Sequence, residues 1–539
     1  MLSMARLKSR INLLGNQPGI SFDAFLLYLN QVWWFCVLIS LLERFNKLPL
    51  WLFILFSFAG YCLLTIWFPL QAYFDQVPLL DIRSFAPSMG SGIGYGILVC
   101  LLYFLFILAF NRVKESAGSI SLVQILGASI FLALPLLFTY PVNANDIYRY
   151  IIRGRIMSQY GDNPFSVPPA VHNEDPFLPY AGEWAGETSP YGPIWELTAS
   201  GVTAVTGDNL LLGILSFKLL GLVAFAGSSM LIWAIILSSH KGDGSDLVHI
   251  NQGESSSLTI LWAWNPALLL IFIVDGHNDI LMVFCLLLGL LIIQKGRSSI
   301  GFFIMGIGAF VKPIGILALP IIFVGLLREK RAVGSSLRFT LSVIGGGLLM
   351  VLLLFLPFGS PAILMQRLLR EAGGGASFSI AALALLSSRA SGLNLTNAFI
   401  SDLSTLLSVT FMLFVIWLMW VTWRGRSAIR STADIFFGYL VQALNFRIWY
   451  AAWPFPWLLL DAAGKTNIRR SHYRLHYGLW FLLTSQLSVL IYGHVRVIYF
   501  SGSQFAAHLL GISFTFGLPL LLAWLSNESV RKRLGIEWS

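Results

Sequence analysis

This sequence predicts an all-α polytopic membrane protein, and three observations lead there. Of its 539 residues, 57% are hydrophobic and only 11% are charged, where soluble domains carry about 25% charged residues. The mean hydropathy is +0.76. Apolar stretches of roughly 20 residues, long enough to cross a hydrocarbon core as helices, recur from end to end. The alternating pattern of ~10-residue strands expected of a membrane barrel is absent. The net charge of +10 does not indicate nucleic acid, because the basic residues cluster in short loops between apolar runs, as the positive-inside rule expects. Cys36, Cys62, Cys100 and Cys285 lie in apolar segments without metal-ligand spacing, so no disulfide, metal site or cofactor is expected. Residues 1–21 are polar and basic and lack the apolar core of a signal peptide.

Taken in order, the candidate spans are 24–42, 50–70, 92–110, 120–140, 210–238, 257–274, 278–294, 338–357, 400–423, 477–492 and 505–525. Two further segments read as hairpins of short helices: 300–327, interrupted at Lys312-Pro313, and 432–461, interrupted around Asn445-Phe446-Arg447. Each half is too short to cross a bilayer unaided, since a straight crossing takes about 20 residues. Broken helices at membrane depth are tolerated where they line a cavity, and they often mark a binding site. The total is about 11 to 14 transmembrane helices. Residues 1–90 hold membrane segments of unassigned role, and 91–539 form the main transmembrane domain.

The basic loops at 295–297, 328–331, 424–430 and 469–470 and the tail 531–533 belong on the cytoplasmic side. Counting crossings between them puts the loop 141–208, the turn 275–279, the breaks at Lys312 and Arg447, and the segment 494–496 on the outer side. The N-terminus conflicts with this count: four spans before residue 141 place it outside, while Arg6, Lys8 and Arg10 argue for inside. The loop 141–208 is rich in Pro, Gly and aromatic residues, and short amphipathic helices lying on the membrane surface are expected there. A second excursion, 358–399, has Gly373-Gly374-Gly375 as a flexible point.

The densest chemistry lies at Asn145-Asp146-Ile147-Tyr148-Arg149-Tyr150-Ile151-Ile152-Arg153-Gly154-Arg155, directly behind an apolar run. Charge beside a membrane span is expensive unless it sits at an interface or lines a wet cavity. Asp146 reads either as a helix N-cap or as a base that takes the proton of an incoming hydroxyl. Arg149 and Arg153, four residues apart, share a helical face and pair with acids or bind a phosphate. His277, Asn278 and Asp279 lie at the outer end of two apolar spans, where Asn278 and Asp279 would also serve as helix caps. Lys312, alone in an apolar stretch, needs an anionic partner: Asp279, Asp146 or a ligand phosphate. Arg447 poses the same question beside Trp449, Tyr450 and Trp453. One acid, cations and aromatic surfaces on the outer side together fit transfer from a lipid-phosphate donor to a hydroxyl, because a phosphate leaving group needs cations rather than a general acid. No Gly-rich nucleotide loop is present.

These residues resemble a known pattern. Asp146-Ile147-Tyr148-Arg149-Tyr150, then Gly154-Arg155, then Asn163-Pro164-Phe165 and Pro168-Pro169, is similar to the first-loop signature of GT-C-fold polyprenyl-phosphate-dependent glycosyltransferases, closest to the bacterial alpha-1,6-mannosyltransferases. Tyr191-Gly192-Pro193, Trp264-Asn265-Pro266, Gly276-His277-Asn278-Asp279, Phe310-Val311-Lys312 and Trp449-Tyr450 followed by Trp453 resemble later motifs in the same order. Phe165 replaces a family Tyr, and Arg447-Ile448 stand where the family has a Pro before Trp-Tyr. The resemblance implies a GT-C fold, Asp146 as catalytic base and a polyprenyl-phosphate sugar as donor. The expectation is a hexosyltransferase, with mannose as the sugar and a lipid or glycan as acceptor. In it, Lys312, Arg447 and Arg153 bind the donor phosphate. Tyr148, Arg149, His277, Asn278, Asp279, Tyr191 and Tyr450 position substrate. The rival reading is a transporter or flippase of a lipid-linked sugar, which broken helices suit equally.

Overall fold

The computed structural model describes residues 48–115, 120–238, 252–330, 332–372, 377–392, 397–464 and 468–526. The expected span 24–42, the Gly373–Gly375 flexible point and the basic tail 531–533 lie outside the described residues. Among those described, seven helices are long and apolar enough to cross a membrane: Leu50–Trp67, Met89–Glu115, Leu210–Ser238, Val333–Phe355, Asp402–Trp423, His472–Ile498 and Gln504–Leu525. An eighth crossing forms if Ser255–Ala263 and Pro266–Val274, bent by 43°, act as one. The bend falls at Asn265-Pro266. The proline cannot extend the first helix, and the Asn265 side chain caps the second through the backbone N–H groups of Ala267 and Leu268.

The count of full-length spans is lower than the sequence predicts because several apolar runs make shorter helices. The run 120–140 gives Leu122–Ala133 followed by a 3-10 turn, Pro135–Phe138. Asp279–Gln294 and Ser298–Val311 form a tight antiparallel pair in which Gly289 and Gly301 bring the two backbones together. Both expected hairpins break where the sequence places the breaks. The first runs Ser298–Val311, then a 3-10 turn at Pro313–Leu317, then Ala318–Glu329. The second runs Ala428–Gln442, an extended Arg447, a 3-10 turn at Ile448–Ala452, then Phe455–Ala463.

The long loop carries helices Asp146–Ser158 and Pro193–Thr206 with 3-10 turns at Pro169–Val171 and Leu178–Trp184 between them. The first of these differs from the expected surface-lying amphipathic helix. Ten of its thirteen residues are buried, the charged Asp146, Arg153 and Arg155 among them, because the rest of the loop folds back over it. Arg155 fastens that cover: its Nε donates to Asp175 Oδ2 at 2.9 Å, and its Nη1 donates to Asp208 Oδ1 at 2.8 Å and to the Gly207 carbonyl at 2.9 Å. Two of the basic loops, 328–331 and 424–430, meet. The Arg328 guanidinium packs on Gly425, and Arg426 and Arg474 pair with Asp434, with Arg474 also bonded to Asp461 at 2.7 Å.

Candidate active site

Four segments far apart in sequence converge at the start of helix Asp146–Ser158. Asn145, not Asp146, occupies the N-cap, so Asp146 is the first residue of the helix and the capping reading of its side chain does not hold. Its carboxylate is 5% exposed. Oδ1 accepts from Arg149 Nη1 at 2.7 Å, and Oδ2 lies 3.5 Å from His277 Nδ1. Burial pushes this carboxyl up, but Arg149, His277, Lys312 and Arg447 around it more than offset that, and its pKa stays below the usual value. It is therefore ionised at neutral pH.

His277 is presented by an unusual backbone. A π-helical turn, Leu270–Val274, ends the bent span, and Gly276 then takes a left-handed φ of 67°. Such π turns are frequent at functional sites. The imidazole is 1% exposed and stacks on Trp449 with ring centroids 4.0 Å apart. Burial lowers its pKa to about 4, against the pull of Asp146 and Asp279. At neutral pH the ring is uncharged, so its approaches to Asp146 and, at 3.9 Å, to Asp279 Oδ2 are polar contacts rather than ion pairs.

Asp279 is fully buried, and both of its oxygens are bonded. Oδ2 accepts from Lys312 Nζ at 2.7 Å, and Oδ1 accepts from Trp453 Nε1 at 2.5 Å. Of the partners the sequence allowed for Lys312, this ion pair selects Asp279. The ammonium lies 5.8 Å and 5.7 Å from the rings of Tyr450 and Trp453, which stack on each other at 4.0 Å. Asn278 faces the other way and accepts from the Tyr150 hydroxyl at 3.3 Å.

The remaining predicted residues divide. Arg149 touches Asp146 and the Asn145 side chain, with its guanidinium 4.4 Å above Trp184. Tyr191 packs edge-on against Tyr150 at 5.3 Å. Arg447 is half-buried and has no ion-pair partner among the described residues. Arg153 is buried and directed at the Glu187 and Thr188 carbonyls, 3.5 Å away, which makes it a brace for the loop. Tyr148 is likewise structural here: fully buried, it donates to the Phe74 carbonyl at 2.9 Å and stacks on Tyr180.

Residues 65–328 match the family model of the alpha-(1→6)-mannopyranosyltransferase N-terminal domain. That stretch contains Asp146, His277, Asp279 and Lys312. Over that stretch the chain is similar to this family. Alpha-(1→6)-mannopyranosyltransferase A of Mycobacterium tuberculosis is 31% identical over 222 residues, covering 40% of each chain. The enzyme of the same name from Corynebacterium glutamicum is 28% identical over 211 residues, covering 38% of this chain and 40% of its own. Alpha-(1→6)-mannopyranosyltransferase B of that organism is 25% identical over 214 residues, covering 39% of this chain and 33% of its own. The alignments thus span about two fifths or less of the relatives' length, and Arg447, Trp449, Tyr450 and Trp453 lie beyond the matched family region.

Two glycines, in Gly154-Arg155 and in Tyr191-Gly192-Pro193, have a plain physical reason. A Cβ on Gly154 would lie 2.5 Å from the Ala199 carbonyl oxygen, so only glycine lets the two loop helices close on each other. At Gly192 the clash would be with the Phe310 carbonyl oxygen at 1.9 Å, and the Gly192 N–H donates to the Val311 carbonyl at 3.1 Å. The long loop is thereby seated on the helix break that presents Lys312.

Three residues beside the site escaped the sequence reading. Trp453 was noted as an aromatic, but not as a donor to Asp279. Glu196, 1% exposed, accepts from the Ser189 hydroxyl, and Ser189 in turn accepts from the Tyr191 N–H at 3.2 Å; burial pushes the Glu196 carboxyl up to about 7. Lys218 is fully buried in helix Leu210–Ser238 and donates to the Leu136, Thr139, Ile273 and Val274 carbonyls at 2.5–3.4 Å. It ties the chain just before the long loop to the chain just before His277. A single charged residue in this 29-residue helix was the available signal.

Proposed function

We propose that this chain is an integral membrane mannosyltransferase that moves mannose from a polyprenyl-phosphate donor to a hydroxyl of a lipid or glycan acceptor. The reaction takes place on the extracytoplasmic face. The acceptor oxygen attacks the anomeric carbon while Asp146 Oδ2 takes its proton. The bond from that carbon to the phosphate oxygen breaks, and polyprenyl phosphate leaves with the electron pair, so the anomeric centre is inverted. The carrying observation is the difference between the two acids. Asp279 has both oxygens hydrogen-bonded and is closed to substrate, whereas Asp146 keeps Oδ2 without a hydrogen bond, 3.5 Å from a neutral imidazole. Nearby cations keep that base ionised. The similarity to alpha-(1→6)-mannopyranosyltransferases supports mannose as the sugar. The basic charge of the loops 328–331 and 424–430, which meet where Arg328 lies against Gly425, supports the sidedness.

The test is transfer from polyprenyl-phosphate-mannose by purified protein. Asp146→Asn keeps the shape and the Arg149 contact, so it should leave the melting midpoint unchanged and reduce transfer by about 100- to 10,000-fold, the range typical of a lost general base. Turnover close to wild type in that variant would refute the assignment. Movement of the lipid-linked sugar across vesicles with no glycosidic bond formed would favour a carrier instead.

A further inference from the structure

A cavity of about 280 Å³ is lined by Trp449, whose ring stacks on His277, and by three arginines: Arg83, Arg447 and Arg496. They come from three separate segments: the short helix Ile82–Phe85, the break of the second hairpin, and the end of the span His472–Ile498. None of the three has an ion-pair partner within 4.0 Å among the described residues. The Arg496 Nε is buried without a hydrogen-bond acceptor, as is the hydroxyl of Tyr492, which also lines the cavity. The one acid in the lining, Asp81, spends Oδ1 on the Arg83 and Ser84 N–H groups as a helix cap. Three guanidinium groups lining one small cavity repel unless an anion sits among them, and their planar forks match the geometry of a phosphate.

The surroundings hold these arginines in place. A π-helical turn at Ile491–Val495 presents Tyr492 and His494, and the His494 ring contacts the Ala86 carbonyl at 2.5 Å, fixing the segment that carries Arg83. The Arg83 stem packs on Gly493, whose Cβ would lie 3.3 Å from it. Trp449 connects this cavity to the acids: one and the same side chain lines the cavity and stacks on His277. Lys312, in contrast, already has an anionic partner in Asp279.

We propose that the Arg83–Arg447–Arg496 cavity binds the phosphate headgroup of a lipid-linked phosphate, holding it across Trp449 from Asp146. The proposal rests on the reading of the chain as a lipid-phosphate-dependent transferase, and it moves the phosphate site away from Lys312 and Arg153. The volume is at the small end of ligand sites, which run roughly 300–1,000 Å³. It therefore takes a headgroup and leaves the lipid chain to the bilayer.

Binding can be separated from catalysis. The full chain in lipid nanodiscs is titrated with polyprenyl phosphate, with polyprenol and with inorganic phosphate, and adducts are counted by native mass spectrometry. The double variant Arg447→Gln, Arg496→Gln should lose polyprenyl phosphate affinity by about 30-fold or more, and Arg83→Gln alone by about fivefold, as charge-assisted contacts are removed. Asp146→Asn should bind polyprenyl phosphate within about twofold of wild type, so a failure of the base assignment is read separately from a failure of this site. Polyprenol binding as tightly as its phosphate would overturn the proposal. So would a double variant, or Arg83→Gln, with unchanged melting midpoint and unchanged affinity. Inorganic phosphate competing only at far higher concentration supports a lipid headgroup, and equal affinity for the free ion would overturn that source.

Discussion

Replacing Gly192 by alanine tests whether the long loop is seated on the Lys312 break. The added Cβ would lie 1.9 Å from the Phe310 carbonyl oxygen and 2.3 Å from its carbon, where ordinary contact begins at 3.4 Å. The two backbones must therefore separate by about 1.5 Å, the shortfall between those distances. Neither side yields easily. One is the turn that leads into helix Pro193–Thr206, and the other is the last turn of Ser298–Val311. Overpacking of this kind costs about 1–3 kcal/mol, and losing the Gly192 hydrogen bond to Val311 adds roughly 1 kcal/mol. The geometric effect is larger. Tyr191 sits on one side of the clash and Lys312 on the other, and a displacement of about 1 Å near a reacting centre lowers rates on the order of 100-fold. The assay is mannose transfer by reconstituted protein together with its melting midpoint. Gly186→Ala is the control, because nothing lies within 4 Å of its Cβ position. Gly192→Ala should lose about 100-fold in kcat/KM and the control less than about twofold. Transfer by Gly192→Ala close to wild type would mean that the loop is not fixed by this contact.

Two further substitutions probe buried charge. Lys218→Met should lower stability by about 3 kcal/mol, since charge-assisted bonds contribute roughly 1.5–3 kcal/mol each and the carbonyls are left unpaired; an unchanged melting midpoint in detergent would refute the bracing role. Glu196 titrates at about 7 when folded, against 4.5 ordinarily. The folded state thus holds a proton that the unfolded state has lost, so stability falls as pH rises from 4.5 to about 7, by about 3 kcal/mol in all. Glu196→Gln still accepts from Ser189 and should remove that decline, with melting midpoints equal to wild type at pH 4 and higher at pH 8. A wild-type midpoint that does not fall across that range would refute the assignment.

The helix breaks were legible because proline and a stranded charge interrupt apolar runs in a way local chemistry decides. The clustering of Asp146, His277, Asp279 and Lys312 on one side was legible from the positions of basic loops alone. Direction was not. The sequence shows that Arg149 and Arg153 share a helical face, but only the fold turns Arg149 to Asp146 and Arg153 to the Glu187 and Thr188 carbonyls. Tyr148 and Tyr150 belong to one motif, and alternation around the helix sends the first to Phe74 and the second to Asn278. The burial of helix Asp146–Ser158 was hidden for a related reason: its cover is made of short 3-10 turns without periodicity. Trp453 reaches Asp279 across 174 residues, a contact no local pattern encodes. Arg83 gave no signal and Arg496 only its place in the outer segment 494–496, because each gains meaning only beside Arg447.

The two acids explain each other. Arg149, Asp146, neutral His277, Asp279 and Lys312 form a row whose formal charges cancel. Without Asp279, Lys312 would be drawn to Asp146, the other carboxylate of the cluster, and would occupy the oxygen proposed to take the proton. Asp279 and Trp453 together hold the lysine away, so the acid with every bond made protects the reactivity of the acid with one bond missing. Once Asp146 has taken a proton, the row carries one net positive charge at the moment the leaving phosphate gains its negative charge. An ammonium locked in an ion pair answers that change poorly. Three guanidiniums with no ion-pair partner among the described residues answer it better, and that difference supports the proposal that the phosphate binds in their cavity while Asp146 takes the proton.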